Sequence, residues 1–172
     1  QGVAAYAMPN LVGDVAAVIA AEGQPKAVVI GHDWGAAIAW QVAFTRPDLV
    51  DKLVIMSVPH PAGMARELAT NKAQQEGSNY ARAFQKEGSE KALTAEGLAG
   101  WVKDPAEKPG YVAAFRRSDF AAMMNYYRAN YPRGAGADVQ APAGAAVAQR
   151  VKVPTLVIHG MKDTALNAAG HA

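Results

Sequence analysis

The 172-residue sequence contains no cysteine. Disulfides, thiolate metal sites, a cysteine nucleophile and thiol redox chemistry are thereby excluded. No apolar run approaches the roughly 18 residues needed to cross a bilayer, and the opening QGVAAYAMPN lacks a basic stretch followed by an apolar one. A chain soluble as written, located in the cytoplasm and without membrane contact, is expected. Charge of one sign is missing as well: 17 basic against 15 acidic residues leave +2, and the densest basic cluster is the pair Arg116 and Arg117. Such scatter gives no footprint for nucleic acid. There is no initiator methionine, and AAGHA ends the chain without a final element, so truncation at both ends is expected.

What is present is an ordinary globular composition, 51% hydrophobic and 19% charged, sufficient for a sizeable core. PNLVGDVAAVIAAEG predicts a helix with Asn10 as N-cap, Leu11, Val15, Val18, Ile19 and Ala20 near one face, and Gly23 as the stop. The short apolar runs at 27–30 (AVVI) and 53–57 (LVIMS) have the pattern of parallel strands buried on both faces, and AAIAWQVAFTRP between them fits a crossover helix ending near Pro47. A third strand, TLVIHG at 155–160, follows only after about a hundred residues of different character.

The intervening stretch from Pro59 to about Arg150 is rich in Ala, Gln, Asn, Lys and Arg and reads as helices broken at Gly88, Gly97, Gly100, Pro105 and Pro109. Its last part, 133–150, is rich in Gly, Ala and Pro and reads as a long return connection. The expected organisation is therefore an α/β core from 1–58 and 151–172, with 59–150 as a helical insertion and return. An insertion directly after a strand is placed to lie over the C-terminal strand ends, where α/β folds set their sites, and is a candidate lid.

The sequence AVVIGHDWGAAIAW, residues 27–40, places G-x-x-x-G between a strand and a helix, with Asp33 at its centre. This is the nucleophile-elbow pattern: the glycines permit close backbone approach and the central side chain is held out of a strained turn. Asp33 also suits a plain helix N-cap. Chemistry distinguishes an acid from a serine here. A carboxylate attacking a saturated carbon forms an ester that water can later cleave, whereas a serine would leave an inert ether. The Trp34 N–H, at the helix N-terminus, is placed to hold the oxyanion. The corresponding substrate is an alkylating electrophile, an epoxide or a halide.

GHDWGAAIAW followed by RPDLVDKLVIMSVPHP resembles the α/β-hydrolase family in its soluble epoxide hydrolase and haloalkane dehalogenase branches, and the insertion resembles the helical cap of the former. The resemblance covers nearly the whole chain. It implies an α/β-hydrolase parallel sheet with a helical cap insertion, the sheet incomplete at both ends, and an aspartate nucleophile at Asp33. It implies a soluble, bacterial type of enzyme acting on a small-molecule epoxide and water, without cofactor or metal. Open sheet edges make a homodimer a further expectation.

The resemblance also assigns two tyrosines that hold the epoxide oxygen, Tyr80 in SNYARAFQKEG and Tyr127 in MMNYYRANYPR, with Asn125 and Arg128 framing the second. A neutral phenol is a suitable donor to a leaving alkoxide. Both also fit a core aromatic face, Tyr127 with Phe120, Met123, Met124 and Tyr131, and Tyr80 with Ala83 and Phe84. A dehalogenase would instead use Trp or Asn N–H donors, for which Trp34 is available and Trp101 has no evident place. Asp163, after the third strand, falls where the family keeps the acid that orients a histidine, and is equally a residue type that binds its own loop. Gly170 and His171 look like the family's Gly-His, yet the seven residues separating Asp163 from His171 are too few for a crossover of about 10–12 residues. His32, His60 and His159 read as structural, and the family's upstream H-G-x-P is absent. Three readings stand: an epoxide hydrolase forming vicinal diols, a haloalkane dehalogenase, and a non-catalytic truncated fragment.

Overall fold

The computed structural model describes residues 2–133 and 150–171. After a 3₁₀ turn at Val3–Tyr6, the chain forms α1 (Met8–Ala21), β1 (Ala27–His32), α2 (Trp34–Thr45), β2 (Val50–Met56) and β3 (Thr155–Ile158). The three strands are parallel in the order β1-β2-β3, with Ile30 opposite Val54 and Val54 opposite Leu156. This alternation of parallel β-branched strands and crossover helix is the α/β pattern expected from the sequence.

The core lies between α2 and the sheet. Ala36, Val42, Leu53 and Ile55 have no exposed surface, and Trp40, Ala43 and Val50 close the cluster. Each fully buried Val, Leu or Ile contributes about 1.5–3 kcal/mol of hydrophobic stabilisation. α1 packs on α2 and buries Leu11 and Ile19.

Several sequence expectations about α1 and the strands are corrected. The α1 N-cap is Ala7 rather than Asn10, because Pro9 starts the helix in its first turn and the Asn10 amide instead donates back to the Ala4 carbonyl. Val18 is 64% exposed, and Ala20 is exposed too. Strands β1 and β3 are not buried on both faces. Val28, Ile30, Leu156 and Ile158 stand exposed on the face opposite α2, Ile30 at 61%. Among the described residues, helices pack on one face of this sheet.

Between β2 and the return segment every element is helical: α3 (Pro61–Thr70), α4 (Lys72–Gly77), α5 (Asn79–Phe84), α6 (Ala95–Leu98), α7 (Lys108–Arg116) and α8 (Phe120–Asn130). Gly88 breaks the chain at φ 77°, as a left-handed glycine does. Gly97 lies inside α6, and Pro109 lies in the first turn of α7, where its missing N–H costs nothing. The expected return connection at 133–150 falls mostly on residues 134–149, outside the described residues.

Two long-range contacts seat this helical layer on the core. α8 packs on the N-terminal 3₁₀ turn, where Asn130 donates to the Tyr6 carbonyl and the Tyr6 and Tyr126 rings meet edge to face. α3 and α4 hold residues 163–171. Gln74, 1% exposed, donates to the Ser78 hydroxyl and the Ala165 carbonyl and accepts from the Asn167 N–H. Gly63 approaches so closely that a Cβ there would lie 1.9 Å from the Gly170 carbonyl oxygen.

Candidate active site

The turn from β1 into α2 is the most constrained point of the backbone. Asp33 adopts φ 52° and ψ −127°, a conformation that L residues rarely take and that costs of order 1–3 kcal/mol. Gly31 makes the turn possible: a Cβ there would sit 2.4 Å from the Gly35 carbonyl oxygen and 2.6 Å from the Ala36 Cα. Gly35 has no such role, since a Cβ at that position meets nothing within 4 Å. Of the two glycines bracketing the turn, close approach requires the first alone.

The strained backbone presents the Asp33 carboxylate at the C-terminal end of β1. Its Oδ2 accepts the Trp34 N–H at 2.8 Å. The capping interaction and a reactive acid are therefore compatible. One oxygen is held by the first N–H of the helix, at the positive end of its dipole, and Oδ1 is left for other chemistry.

Asp33 opens into a cavity of about 160 Å³. Tyr80 from α5, Tyr127 from α8 and Tyr131 just after it line that cavity together with Asp33 and Trp34. Tyr127 stands edge-on to the Trp34 indole at 5.2 Å between centroids and 6.1 Å from the Tyr80 ring. Met64, Leu68 and Leu166 contribute apolar wall. Among the described residues, the ionisable groups in the lining are one carboxylate and three phenols.

The phenols are held firmly neutral. Burial raises the Tyr127 pKa, the Asp33 carboxylate adds to the rise, and polar contacts from the Trp34 and Tyr80 side chains partly offset it, leaving it pushed up to about 12. Burial, Tyr127 and Asp33 push Tyr80 up as well, with Asp163 contributing. Burial likewise raises Tyr131. Each therefore keeps its O–H as a donor at any ordinary pH.

Sequence expectation and geometry coincide unevenly. Asp33, Trp34, Tyr80 and Tyr127 meet in one cavity. The aromatic cluster around Tyr127, which includes Phe84 and Tyr131, serves packing and cavity lining at once. Asn125 and Arg128 face away into a polar network: Arg128 pairs with Glu90 at 2.5 Å and donates to the Asn125 side chain. Trp101 is 62% exposed against Tyr111, apart from the cavity lining. Tyr131, read from the sequence only as part of a core face with Tyr127, and Gln41, not singled out there, also line the cavity. The available signal for Gln41 was a lone polar residue in the apolar run AAIAWQVAF.

Asp163 lies behind this wall. Its Oδ1 accepts the Ala165 and Leu166 N–H groups, both at 2.9 Å, and so positions Leu166 in the lining. Oδ2 makes no hydrogen bond among the described residues. His171 is not in the lining; its Nε2 lies 2.9 Å from Nδ1 of His159, whose Nε2 lies 3.0 Å from the Leu166 carbonyl. His60 caps α3 through Nδ1 and packs on Trp40 and Phe44. Among the described residues no group of three or more His, Cys, Asp or Glu side chains could hold a metal ion, and no helix is long and apolar enough to cross a membrane.

Comparison with known proteins follows the same lines. Residues 3–171 match the alpha/beta hydrolase fold family. Epoxide hydrolase 1 of Caenorhabditis elegans is 27% identical over 94% of this chain and 42% of its own length. An AB hydrolase superfamily protein of Bacillus subtilis is 32% identical over 75% of this chain and 50% of its own. The crystal structure of a mutant epoxide hydrolase from Bacillus megaterium superposes with a TM-score of 0.87 at 30% identity, covering 99% of this chain and 64% of that one. An epoxide hydrolase from hot-environment metagenomes gives 0.80 at 32%, covering 99% and 63%. The chain thus spans about half the length of these curated relatives. A strained aspartate elbow on a parallel sheet, matched over almost every residue, makes this chain a member of the alpha/beta hydrolase fold family.

Proposed function

We propose that the protein hydrolyses epoxides to vicinal diols through an ester on Asp33. The observation that carries this reading is the convergence of one strained carboxylate and two neutral phenols on a single cavity. Asp33 Oδ1 attacks the epoxide carbon from the side opposite the C–O bond, which breaks as the new C–O bond forms. Tyr80 and Tyr127 donate to the departing oxygen, and one of them transfers its proton, so the product is a hydroxyalkyl ester. The named epoxide hydrolases among the relatives support this substrate class.

Hydrolysis of the ester adds water at its carbonyl carbon, with the oxyanion on the oxygen that the Trp34 N–H already holds. Water needs a base. Asp163, with Oδ2 unoccupied among the described residues, is the candidate to orient a histidine for that step. The helical layer from 59 onward, which supplies both tyrosines, acts as the cap of the site.

The experiment is repeated turnover of an epoxide in ¹⁸O-labelled water, followed by mass spectrometry of the Asp33 peptide. Label in the Asp33 carboxylate is expected, because water attacks the ester at the Asp33 carbonyl. Diol formation with an unlabelled Asp33 would exclude the ester. Halide release from haloalkanes without diol formation would instead favour the dehalogenase reading.

A further inference from the structure

The cavity extends well beyond the Asp33 carboxylate. Asp33, Ala37 and Gln41 stand at i, i+4 and i+8, one stripe along α2, and all three line it. Gln41 lies eight positions past Asp33, a rise of about 12 Å along the helix axis. The walls over that length are apolar, from Val58 and Pro59 after β2 and from Met64, Ala65 and Leu68 on α3.

Gln41 is anomalous in this setting. It is only 9% exposed, yet its side-chain amide has no hydrogen-bond partner among the described residues. The other buried polar side chains, Glu67, Gln74, Ser78 and Asn125, are all bonded. Its neighbour Trp40 is also satisfied, donating from Nε1 to the Val58 carbonyl. Its polar atoms are not among the fully buried unpaired ones, so the amide keeps open surface beside the cavity it lines. No described residue uses this amide, and an apolar residue of the same length would pack equally well, so the fold gives no reason for a glutamine here. A ligand in the cavity does.

We infer that Gln41 is the polar anchor for the far end of the substrate. The cavity then takes an epoxide on an extended apolar body that carries a neutral hydrogen-bonding oxygen about 10 Å from the reacting carbon. The amide can donate through Nε2 or accept through Oε1, which suits a hydroxyl, an ether or a carbonyl alike. An anionic tail is disfavoured, because the described residues of the lining include no cation and already include the Asp33 carboxylate. This assignment of substrate class rests on Asp33 being the nucleophile.

The test compares 1,2-epoxydecane with 9,10-epoxydecan-1-ol on the full chain and on Gln41→Met. The native chain is expected to favour the hydroxylated epoxide in kcat/KM, and the variant to lower that ratio about tenfold. Because the amide removed has no partner, Gln41→Met is expected to melt at or above the native temperature. Equal ratios in the two proteins, or a variant that melts lower or fails to fold, would overturn the assignment. Binding of the two corresponding diols, followed by fluorescence of Trp34 and Trp40 in the cavity wall, needs no turnover. A Gln41-dependent preference in binding with no epoxide consumed would remove the hydrolase reading and leave the anchor. Turnover with no such preference would do the reverse.

Discussion

The Tyr127 ring meets the Trp34 indole at 89° with 5.2 Å between centroids. One ring belongs to the residue after the strained acid, the other to the last helix of the insertion. The contact seats the helical layer against the elbow, so that a phenol contributed from far along the chain shares the cavity of the carboxylate.

Tyr127→Phe is expected to slow alkylation of Asp33 by about 100-fold or more, the range of a lost general acid, and Tyr80→Phe to act in the same direction. Stopped-flow quenching of Trp34 in a single turnover measures this step apart from ester hydrolysis. Equal rates for Phe and Tyr enzymes would mean that the phenols only pack.

The same step is expected to show no alkaline decline up to about pH 10. In the proposed mechanism the neutral phenol is the donor, and its pKa is raised to about 12 at Tyr127 by burial and by the Asp33 charge. The donor is therefore lost only as pH rises through that value. A single-turnover rate falling with a midpoint near the ordinary tyrosine value, about 10, would contradict the buried environment.

The two glycines of the elbow are expected to separate in effect. Gly31→Ala forces a Cβ into the α2 backbone and should cost about 1–3 kcal/mol in urea unfolding. Gly35→Ala meets open space on a helix and should be neutral or stabilising by up to about 1 kcal/mol.

Gln74→Leu removes the two hydrogen bonds that tie α4 to residues 165–167, together with one to the Ser78 hydroxyl, and leaves the Ala165 carbonyl and Asn167 N–H without their partner. A loss of about 2–3 kcal/mol is expected in the same unfolding assay. Because those residues position Leu166 in the cavity wall, the KM for epoxide should rise too.

His171 should make stability fall with acid. The Leu166 carbonyl can only accept, so His159 carries its proton on Nε2 and accepts at Nδ1 from His171. Burial, then His159, lowers the His171 pKa from 6.5. The unfolded chain then binds the more protons, and stability falls as pH drops below about 6.5. His171→Gln should flatten the melting temperature between pH 7 and 5, before the carboxylates of Glu67 and Glu90, whose pKa values are lowered, begin to protonate.

Local features were legible in the sequence because they depend on near neighbours. The strand, the turn at Asp33 and the crossover helix follow from an apolar run, a glycine and the acid between them, and the two tyrosine segments were readable as helical stretches through family resemblance. Burial was less legible. Val18 has the helical spacing of a core residue and is exposed, while Val28 and Ile30 read as doubly buried and lie on a bare face. An apolar residue records a tendency to be covered, and only the packing of other elements decides whether it is.

By itself the sequence determined that an acid stands at the tip of a strand-to-helix turn, since Gly31 and Asp33 encode that geometry within a few residues. It also determined that the chemistry must suit a carboxylate. The tertiary structure alone decided that Tyr80 and Tyr127 share a cavity with Asp33, that Asp163 sits behind Leu166, and that Gln41 lines the same cavity without a side-chain partner among the described residues. Those relations join positions far apart in the chain, or a helix face to a void. They are set by how helices pack on the sheet, for which one-dimensional spacing holds no measure.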